Sequence, residues 1–285
     1  MSRNRDRVGS HAPSADAPAA AVMQEQNTGG FSFVVPTEFV ELPSQGKYYP
    51  QNHPLHGKDS IEIRQMTAKE EDILISRTLL KKGIALDRVI QNLIVDKSIN
   101  PDTLLVGDKN AIIIAARVSG YGNTYDTSVV CPSCGIQQQS VFDLNDVTPY
   151  CGENKDKLDA TDNGDGTFNL LLPRTQVTVT FRLLTGMDER NVYLASESDR
   201  KRNIDDRSIT TQLLALVVSV NDDSSNQARQ YLVDNIPSID SRHIRLAYKL
   251  CNPNVDMIQD FECTECGLET ELEVPLSADF FWPKQ

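Results

Sequence analysis

The sequence predicts an α+β protein in which helical segments and short antiparallel hairpins surround a four-cysteine zinc ribbon. Stretches of alternating apolar and polar residues, such as Ser60–Met66, are typical of half-buried strands. Stretches with apolar residues every three or four positions, such as Ala85–Ile94, are typical of amphipathic helices. Two Cys-x-x-Cys-Gly sequences, beginning at Cys131 and Cys263, each separate two strand-like runs and therefore predict two hairpins.

Length and charge narrow the classes of function. A chain of 285 residues with 39% hydrophobic residues is long enough to bury a substantial core. It carries 40 acidic and 28 basic side chains, and the net charge of -12 disfavours attraction to nucleic acid or to anionic lipid. No apolar run is long enough to span a bilayer, and no apolar core of a secretory signal follows the amino-terminal residues. We therefore expect a cytoplasmic protein that binds neither nucleic acid nor membrane.

Changes in composition divide the chain into four segments. The first is rich in Ala, Ser, Pro, Asn and Gln and has too few large apolar groups to offset the entropy of ordering. A proline-punctuated segment with several aromatic residues follows, and after it the periodic patterns begin. The predicted segments are a flexible tail at 1–30, an extended proline and aromatic segment at 31–58, a first strand-helix-CxxCG unit at 59–145, and a second such unit with an aromatic carboxyl end at 146–285.

The two units share one order of elements, which suggests an internal duplication. Thr67 with Glu70, and Thr185 with Asp188, have the spacing of a capping box that opens a helix after a strand. In each unit, apolar helices then lead to a CxxCG hairpin. The spacing between the threonine and the first cysteine differs between the units, and few residues are identical. Two similar orders that arose by chance are therefore the alternative.

The four cysteines of the CxxCG sequences are the predicted metal ligands. In such a sequence the turn aims both sulfurs at one point, and the glycine allows the backbone conformation that follows the second ligand. One pair supplies half of the four thiolates that tetrahedral zinc takes, so the two pairs together predict one closed structural zinc site. The predicted ligands are Cys131, Cys134, Cys263 and Cys266.

Three alternatives for these cysteines stay open: disulfides, a redox-active CxxC, and thiols without a ligand. The lack of a secretion signal disfavours disulfides. A redox CxxC normally lies after a strand at the start of a helix, whereas strand-like runs follow both pairs here. Cys151 and Cys251 have no CxxC partner, and we interpret them as ordinary small residues of the core or of loops.

No sequence feature predicts an enzyme. The chain has no P-loop, no GxGxxG and no GxSxG sequence. His53 and His56 form an HxxH in a proline-flanked loop, without the third ligand or the helix that zinc proteases require. A closed four-thiolate site also leaves no open coordination position at which the metal can act on a substrate.

Aromatic residues at two places are candidates for contacts with a partner protein. Tyr48 and Tyr49 lie in LPSQGKYYP, where a proline and a glycine shape a turn and the rings offer flat amphipathic area. Phe281 and Trp282 lie in an aromatic cluster at the carboxyl end, and termini fray unless they are tied down. The alternative for both places is that the rings pack inside the fold.

Several short sequences occur in a characteristic order: LPSQGKYYP, then TAKEEDIL after a strand, then GDKNAIIIAARVSGYGNTY followed by CPSCG, and ADFFWP near the carboxyl end. Together they resemble the baseplate hub assembly proteins (hub assembly chaperones) of T-even-type contractile-tailed bacteriophages. The resemblance covers most of the chain from about residue 40. It implies a non-enzymatic role in building the central hub of the baseplate, with hub proteins as partners. The location that it implies is the cytoplasm of the infected bacterium, or the baseplate of the virion.

The main alternative function is a zinc-ribbon regulatory protein that binds nucleic acid or a polymerase. Such a protein needs a basic face around the ribbon, whereas the hairpins carry acidic side chains. These are Asp143, Glu262, Glu265, Glu269 and Glu271. A weaker alternative is a redox enzyme, which thiol titration with and without a chelator would distinguish from a zinc protein.

Overall fold

The structure of the protein, a computed structural model, describes residues 22–23, 35–202, 205, 207–274 and 280–281. It confirms the predicted α+β class. The helices are α1 (Ala68–Ile75), α2 (Arg77–Lys81), α3 (Ala85–Leu93), α4 (Val106–Tyr121), α5 (Gly186–Lys201), α6 (Ser208–Leu216), α7 (Asn226–Asn235) and α8 (Ser238–Cys251).

The strands are short and pair antiparallel. They are β1 (Val22–Met23), β2 (Val35–Glu41), β3 (Ser60–Arg64), β4 (Thr124–Val130), β5 (Gln137–Asp143), β6 (Thr148–Tyr150), β7 (Thr161–Asp162), β8 (Thr167–Leu171), β9 (Thr178–Arg182), β10 (Val217–Val220), β11 (Asn254–Asp256), β12 (Ile258–Glu262) and β13 (Glu269–Glu273). One sheet has the order β1-β2-β3, and another has the order β10-β9-β8-β7. Three two-stranded sheets pair β4 with β5, β12 with β13, and β6 with β11. The buried apolar residues of both halves of the chain form one core.

The predicted flexible tail contains one ordered contact. Val22 and Met23 form β1, which pairs with Val35 and Pro36 at the start of β2. This corrects the prediction that the whole of 1–30 is a flexible tail, because an open strand edge provides main-chain partners that the composition of a segment does not reveal. The rest of that segment lies outside the described residues.

Both predicted capping boxes are present, and each is completed by an arginine. Thr67 and Glu70 cap α1, and Thr185 and Asp188 cap α5 in the same way. In the first box the guanidinium of Arg64 lies 2.7 Å from the carboxylate of Glu70. In the second, the guanidinium of Arg182 lies 2.6 Å from Asp188. The arginine ends the preceding strand in both cases, so strand, cap and helix are fixed together twice in one chain.

The capping box of α1 predicts sensitivity to acid. Burial by itself raises the pKa of Glu70, but hydrogen bonds from Arg64 and Thr67 outweigh burial and lower the pKa to about 2. Because the folded-state pKa lies below the ordinary value of 4.5, the stabilisation is present above that pH and is lost as the pH falls towards 2. We expect Glu70→Gln to lower the free energy of unfolding by about 2–3 kcal/mol at pH 7.

Urea unfolding at several pH values checks this expectation. The difference in stability between wild type and Glu70→Gln should shrink as the pH is lowered below about 4.5, because protonation removes the same charge from the wild type. Asp72→Asn is the matched control, since Asp72 is an exposed carboxylate of the same helix. A stability difference for Glu70→Gln that is independent of pH would contradict the assigned role of the charge.

Two buried aspartates, one in each half of the chain, make equivalent hydrogen bonds to a serine or threonine. Asp108 is the third residue of α4, and Asp240 is the third residue of α8. Asp108 accepts hydrogen bonds from the backbone N–H and the hydroxyl of Ser44, at 2.9 and 2.5 Å. Asp240 accepts them from the backbone N–H and the hydroxyl of Thr175, at 2.9 and 2.8 Å. Ser44 lies in the loop between β2 and β3, and Thr175 lies in the loop between β8 and β9. Each aspartate therefore holds such a loop against a helix that follows later in the chain.

The two aspartates also align the halves of the chain. Each stands 23 residues before the first cysteine of its half, so residues 108–142 and 240–274 correspond without a gap. Five corresponding pairs of positions are buried in both halves: Ile112 and Ile244, Tyr125 and Met257, Val129 and Phe261, Cys131 and Cys263, Phe142 and Val274. An internal duplication predicts such a correspondence, and the spacing from Asp to Cys is the sequence signal that reveals it.

Tyr48 and Tyr49 are buried, which corrects their proposed role as partner-binding residues. The ring of Tyr48 packs on Phe168, with 5.9 Å between ring centroids. Tyr49 donates a hydrogen bond from its hydroxyl to Asp108 at 2.8 Å and accepts one from the backbone N–H of Leu105 at 3.0 Å. LPSQGKYYP therefore fastens the loop after β2 onto both halves of the fold, and we propose no docking role for the two rings.

The carboxyl end is also tied into the fold. Phe280 and Phe281 are buried, and their rings meet edge to face at 5.3 Å between centroids. Phe280 makes a second edge-to-face contact with Tyr125 at 5.1 Å. Its carbonyl oxygen accepts a hydrogen bond of 2.7 Å from the guanidinium of Arg117. The structure thus corrects the docking role of Phe281, and Trp282 lies outside the described residues.

Candidate metal centre

Each CxxCG sequence forms a tight turn between two strands. The first turn joins β4 to β5, and the second joins β12 to β13. The backbone N–H of Gly135 donates to the carbonyl of Cys131 at 2.9 Å, and that of Gly267 donates to Cys263 at the same distance. Both glycines have positive φ, at 72° and 66°, a conformation that other residues adopt only with strain. The two turns are therefore the same structure, as the repeated sequence predicts.

The four sulfurs converge on one point. Cys131 Sγ lies 3.7 Å from Cys266 Sγ, and Cys134 Sγ lies 3.7 Å from Cys263 Sγ. All four sulfurs lie within 4.8 Å of one another. Zinc–sulfur bonds of about 2.3 Å in a tetrahedron place the sulfurs roughly 3.8 Å apart. Each half of the chain supplies two sulfurs, so the arrangement fits a single four-coordinate metal ion.

The four thiols differ in exposure and in electrostatic setting. Cys131 and Cys263 are buried, whereas Cys134 and Cys266 are exposed. Hydrogen bonds from the backbone N–H groups of Cys134 and Ser133, together with the neighbouring thiols, lower the pKa of Cys131 to about 6, whereas the neighbouring thiols raise the pKa values of Cys134 and Cys266. Thiolate is the form that binds metal, so the backbone of the turn favours the ligating state at this position. Four clustered thiols match the number and type of ligands of a structural zinc site.

Two glutamine side chains hold the hairpins side by side. The carboxamide of Gln259 donates to the carbonyl of Asp143 at 2.7 Å and accepts from its N–H at 3.2 Å. The carboxamide of Gln138 donates to the carbonyl of Glu262 at 3.0 Å and accepts from the N–H of Thr264 at 3.1 Å. Each side chain thus imitates a peptide group of a neighbouring strand. Sequence patterns did not single out either glutamine.

Cys151 and Cys251 lie outside the cluster of four. Cys251 is buried at the end of α8. Cys151 is half-buried, and its sulfur accepts a long contact of 3.6 Å from the side chain of Gln45. Neither thiol joins the metal-binding arrangement. Both CxxC pairs lie between strands and not at the start of a helix, which disfavours the redox alternative.

In the part of the chain that the structure describes, no helix is both long enough and apolar enough to cross a bilayer.

Comparison with protein families identifies one match. The family described as T4 bacteriophage base plate protein matches residues 35–282. Comparisons with curated proteins and with solved structures gave no match. The matched region contains both halves of the fold, both capping boxes and all four clustered cysteines. The chain therefore belongs to the T4 bacteriophage base plate protein family and has a structural or assembly role in a phage baseplate.

Proposed function

We propose that this protein is a non-enzymatic assembly factor for the central hub of the phage baseplate. It acts by protein–protein contacts in the cytoplasm of the infected bacterium, and its partners are hub proteins. Family membership supports the baseplate part of this proposal. The hub and the assembly step rest on the resemblance of LPSQGKYYP, the CPSCG region and the aromatic carboxyl end to hub assembly proteins.

The non-enzymatic part of the proposal rests on the structural contacts that the reactive side chains make. The four clustered cysteines would fill all four positions of a tetrahedral metal ion and would leave none for a substrate. The buried carboxylates of Glu70, Asp188 and Asp240 accept hydrogen bonds that fix helix starts and loops. These contacts give the three carboxylates a structural role, which supports the non-enzymatic part of the proposal.

We propose zinc as the ion of the cysteine cluster. Four thiolates in a tetrahedron are the usual ligands of structural Zn²⁺, and they suit soft or borderline cations better than Mg²⁺ or Ca²⁺. Zinc would join the two hairpins, which come from different halves of the chain, and so add to the free energy of folding. No residue of the cluster would then act on a substrate.

Affinity purification from infected cells tests the proposed function. The tagged protein should enrich hub proteins over other baseplate proteins, and mass spectrometry of purified virions should show whether it remains in the finished particle. An untagged strain provides the background. Enrichment of no baseplate protein would contradict the proposal, and enrichment of nucleic acid or polymerase would favour the regulatory alternative.

A further inference from the structure

The second hairpin, β12–β13, exposes one strongly acidic face. Side chains alternate along both strands, and every second residue is exposed while those between them turn towards the fold. The exposed residues, which we call the acidic face, are Ile258, Asp260, Glu262, Glu269, Glu271 and Glu273. The face thus consists of five carboxylates and one isoleucine.

Carboxylates stand directly opposite each other on this face. The register of the hairpin pairs Asp260 with Glu271 and Glu262 with Glu269. Like charges that face each other across two strands destabilise a hairpin. Among the described residues, the recorded salt bridges reach this face only at Glu273, which Lys249 contacts at 3.1 Å. The hairpin therefore carries repulsion that a cationic partner would relieve.

The first hairpin shows that the ribbon itself does not need these charges. Under the gap-free correspondence between the halves, the positions of the four opposed carboxylates are neutral in β4–β5. They are occupied by Ser128, Val130, Gln137 and Gln139. Both hairpins form the same turn and supply the same pair of cysteines. Hairpin formation and the placement of the cysteines therefore do not require these carboxylates.

Apolar surface adjoins the acidic face. A groove of about 480 Å³ lies between the two hairpins and is lined in part by Asp260, Glu271 and Asp146. Val141 and Ile258 also line it, and they are 66% and 47% exposed. Aliphatic side chains beside unpaired carboxylates suit a ligand that is cationic and partly apolar.

We propose that the acidic face and the adjoining groove bind an extended segment of a partner protein that presents lysine or arginine together with an aliphatic side chain. The basic side chains would neutralise the opposed carboxylates, and the aliphatic side chain would cover Val141 and Ile258. Nucleic acid and anionic lipid are excluded as occupants by the sign of the charge. This inference rests on the proposed function, since it specifies how a partner is recognised.

Peptide binding tests the proposal on the purified full-length protein. The probe is a fluorescent hexapeptide that alternates lysine and valine, measured by anisotropy at about 0.15 M salt. Wild type should bind it, and Asp260→Asn combined with Glu271→Gln should weaken the affinity roughly tenfold. The same double variant should unfold at an equal or higher temperature, because a repulsive pair has been removed. A structural role for the carboxylates predicts the opposite change in stability.

Two controls separate the face from general electrostatics. Asp72→Asn combined with Asp222→Asn removes the same charge from exposed residues outside both hairpins and should leave the affinity within about twofold. A hexapeptide that alternates glutamate and valine should not bind. Failure of wild type to bind the basic peptide, or equal weakening by the control variant, would overturn the proposal. So would saturation of the face by Ca²⁺ alone, because it would indicate a cation site.

Failure of this inference can be distinguished experimentally from failure of the proposed function. If wild type and Asp260→Asn/Glu271→Gln capture hub proteins equally well from infected cells, this inference fails and the proposed function stands. If neither captures a baseplate protein, the proposed function fails, and the peptide measurement alone decides the inference.

Discussion

Replacing Phe280 by alanine should lower the free energy of unfolding by about 3–5 kcal/mol, which is the cost of removing a buried phenylalanine ring. The ring is buried between Tyr125 and Phe281, at 5.1 and 5.3 Å between centroids. Its removal leaves a cavity that these rings cannot fill without moving. Urea unfolding at neutral pH measures the effect, and the zinc content provides a check that the ribbon is still formed.

Arg117 increases the expected loss of stability, because Phe280 also supplies an acceptor for its guanidinium. The guanidinium is buried and donates to the carbonyls of Phe280, Gly122 and Thr124 at 2.7, 2.6 and 3.0 Å. It also lies 6.0 Å from the centre of the Phe280 ring. Burial lowers the pKa of Arg117, because it disfavours the charged form of the guanidinium. If the carboxyl end detaches, this charge loses one of its three acceptors.

Tyr231→Ala is the matched control for Phe280→Ala. Tyr231 is an aromatic residue of α7 with 71% of its surface exposed, so its removal should change the stability by no more than about 0.5 kcal/mol. If Phe280→Ala unfolds at the same urea concentration as Tyr231→Ala, the carboxyl end does not close the core. A docking role for the aromatic end would then deserve a new test.

Local sequence patterns predicted the elements but not which aromatic rings are buried. Strand alternation, capping-box spacing and CxxCG turns involve residues within a few positions of each other, and the structure contains all three. Tyr49 instead depends on Asp108, which lies 59 residues further along the chain. Phe280 depends on Arg117, at a separation of 163 residues. An exposed and a buried tyrosine look alike in sequence when the covering element is so distant.

The clustering of the four cysteines was predictable across a long separation because the chemistry of a four-thiolate metal site is restrictive. Two thiolates cannot complete a tetrahedral site, so each CxxCG pair required a second pair elsewhere in the chain. The glutamine contacts between the hairpins were not predictable, since a carboxamide that imitates a peptide group has no distinctive spacing. Gln138 and Gln259 bridge to residues more than a hundred positions away.

Replacing either Cys131 or Cys263 by serine should abolish stoichiometric zinc binding. Wild type should contain about one zinc per chain, because the four sulfurs lie within 4.8 Å of one another and form one site. Each variant leaves three thiolates, which bind zinc far more weakly than four. Two independent sites predict a different result, in which each variant loses the metal from its own half and keeps it in the other.

The loss of zinc should also destabilise the ribbon without unfolding the whole chain. Structural zinc contributes about 10–16 kcal/mol of apparent binding free energy in isolated zinc-finger peptides, which sets an upper limit here. The carboxamides of Gln138 and Gln259 still join the hairpins when the metal is absent. Cys131 and Cys263 belong to the same buried core as α3, α4 and β8–β9, but most residues of that core lie outside the two ribbon turns. We therefore expect hydrogen exchange to accelerate in β4–β5 and β12–β13 and to stay nearly unchanged in α4.

Cys151→Ser is the control for both measurements, because Cys151 is a half-buried thiol that lies outside the cluster. It should keep a full complement of zinc and wild-type hydrogen exchange. Metal analysis of the three variants, followed by exchange on the same samples, tests the shared site and its structural role together. Full zinc retention in both Cys131→Ser and Cys263→Ser would rule out a single shared site. Zinc loss with unchanged exchange in the hairpins would show that the metal binds without holding the two halves of the chain together.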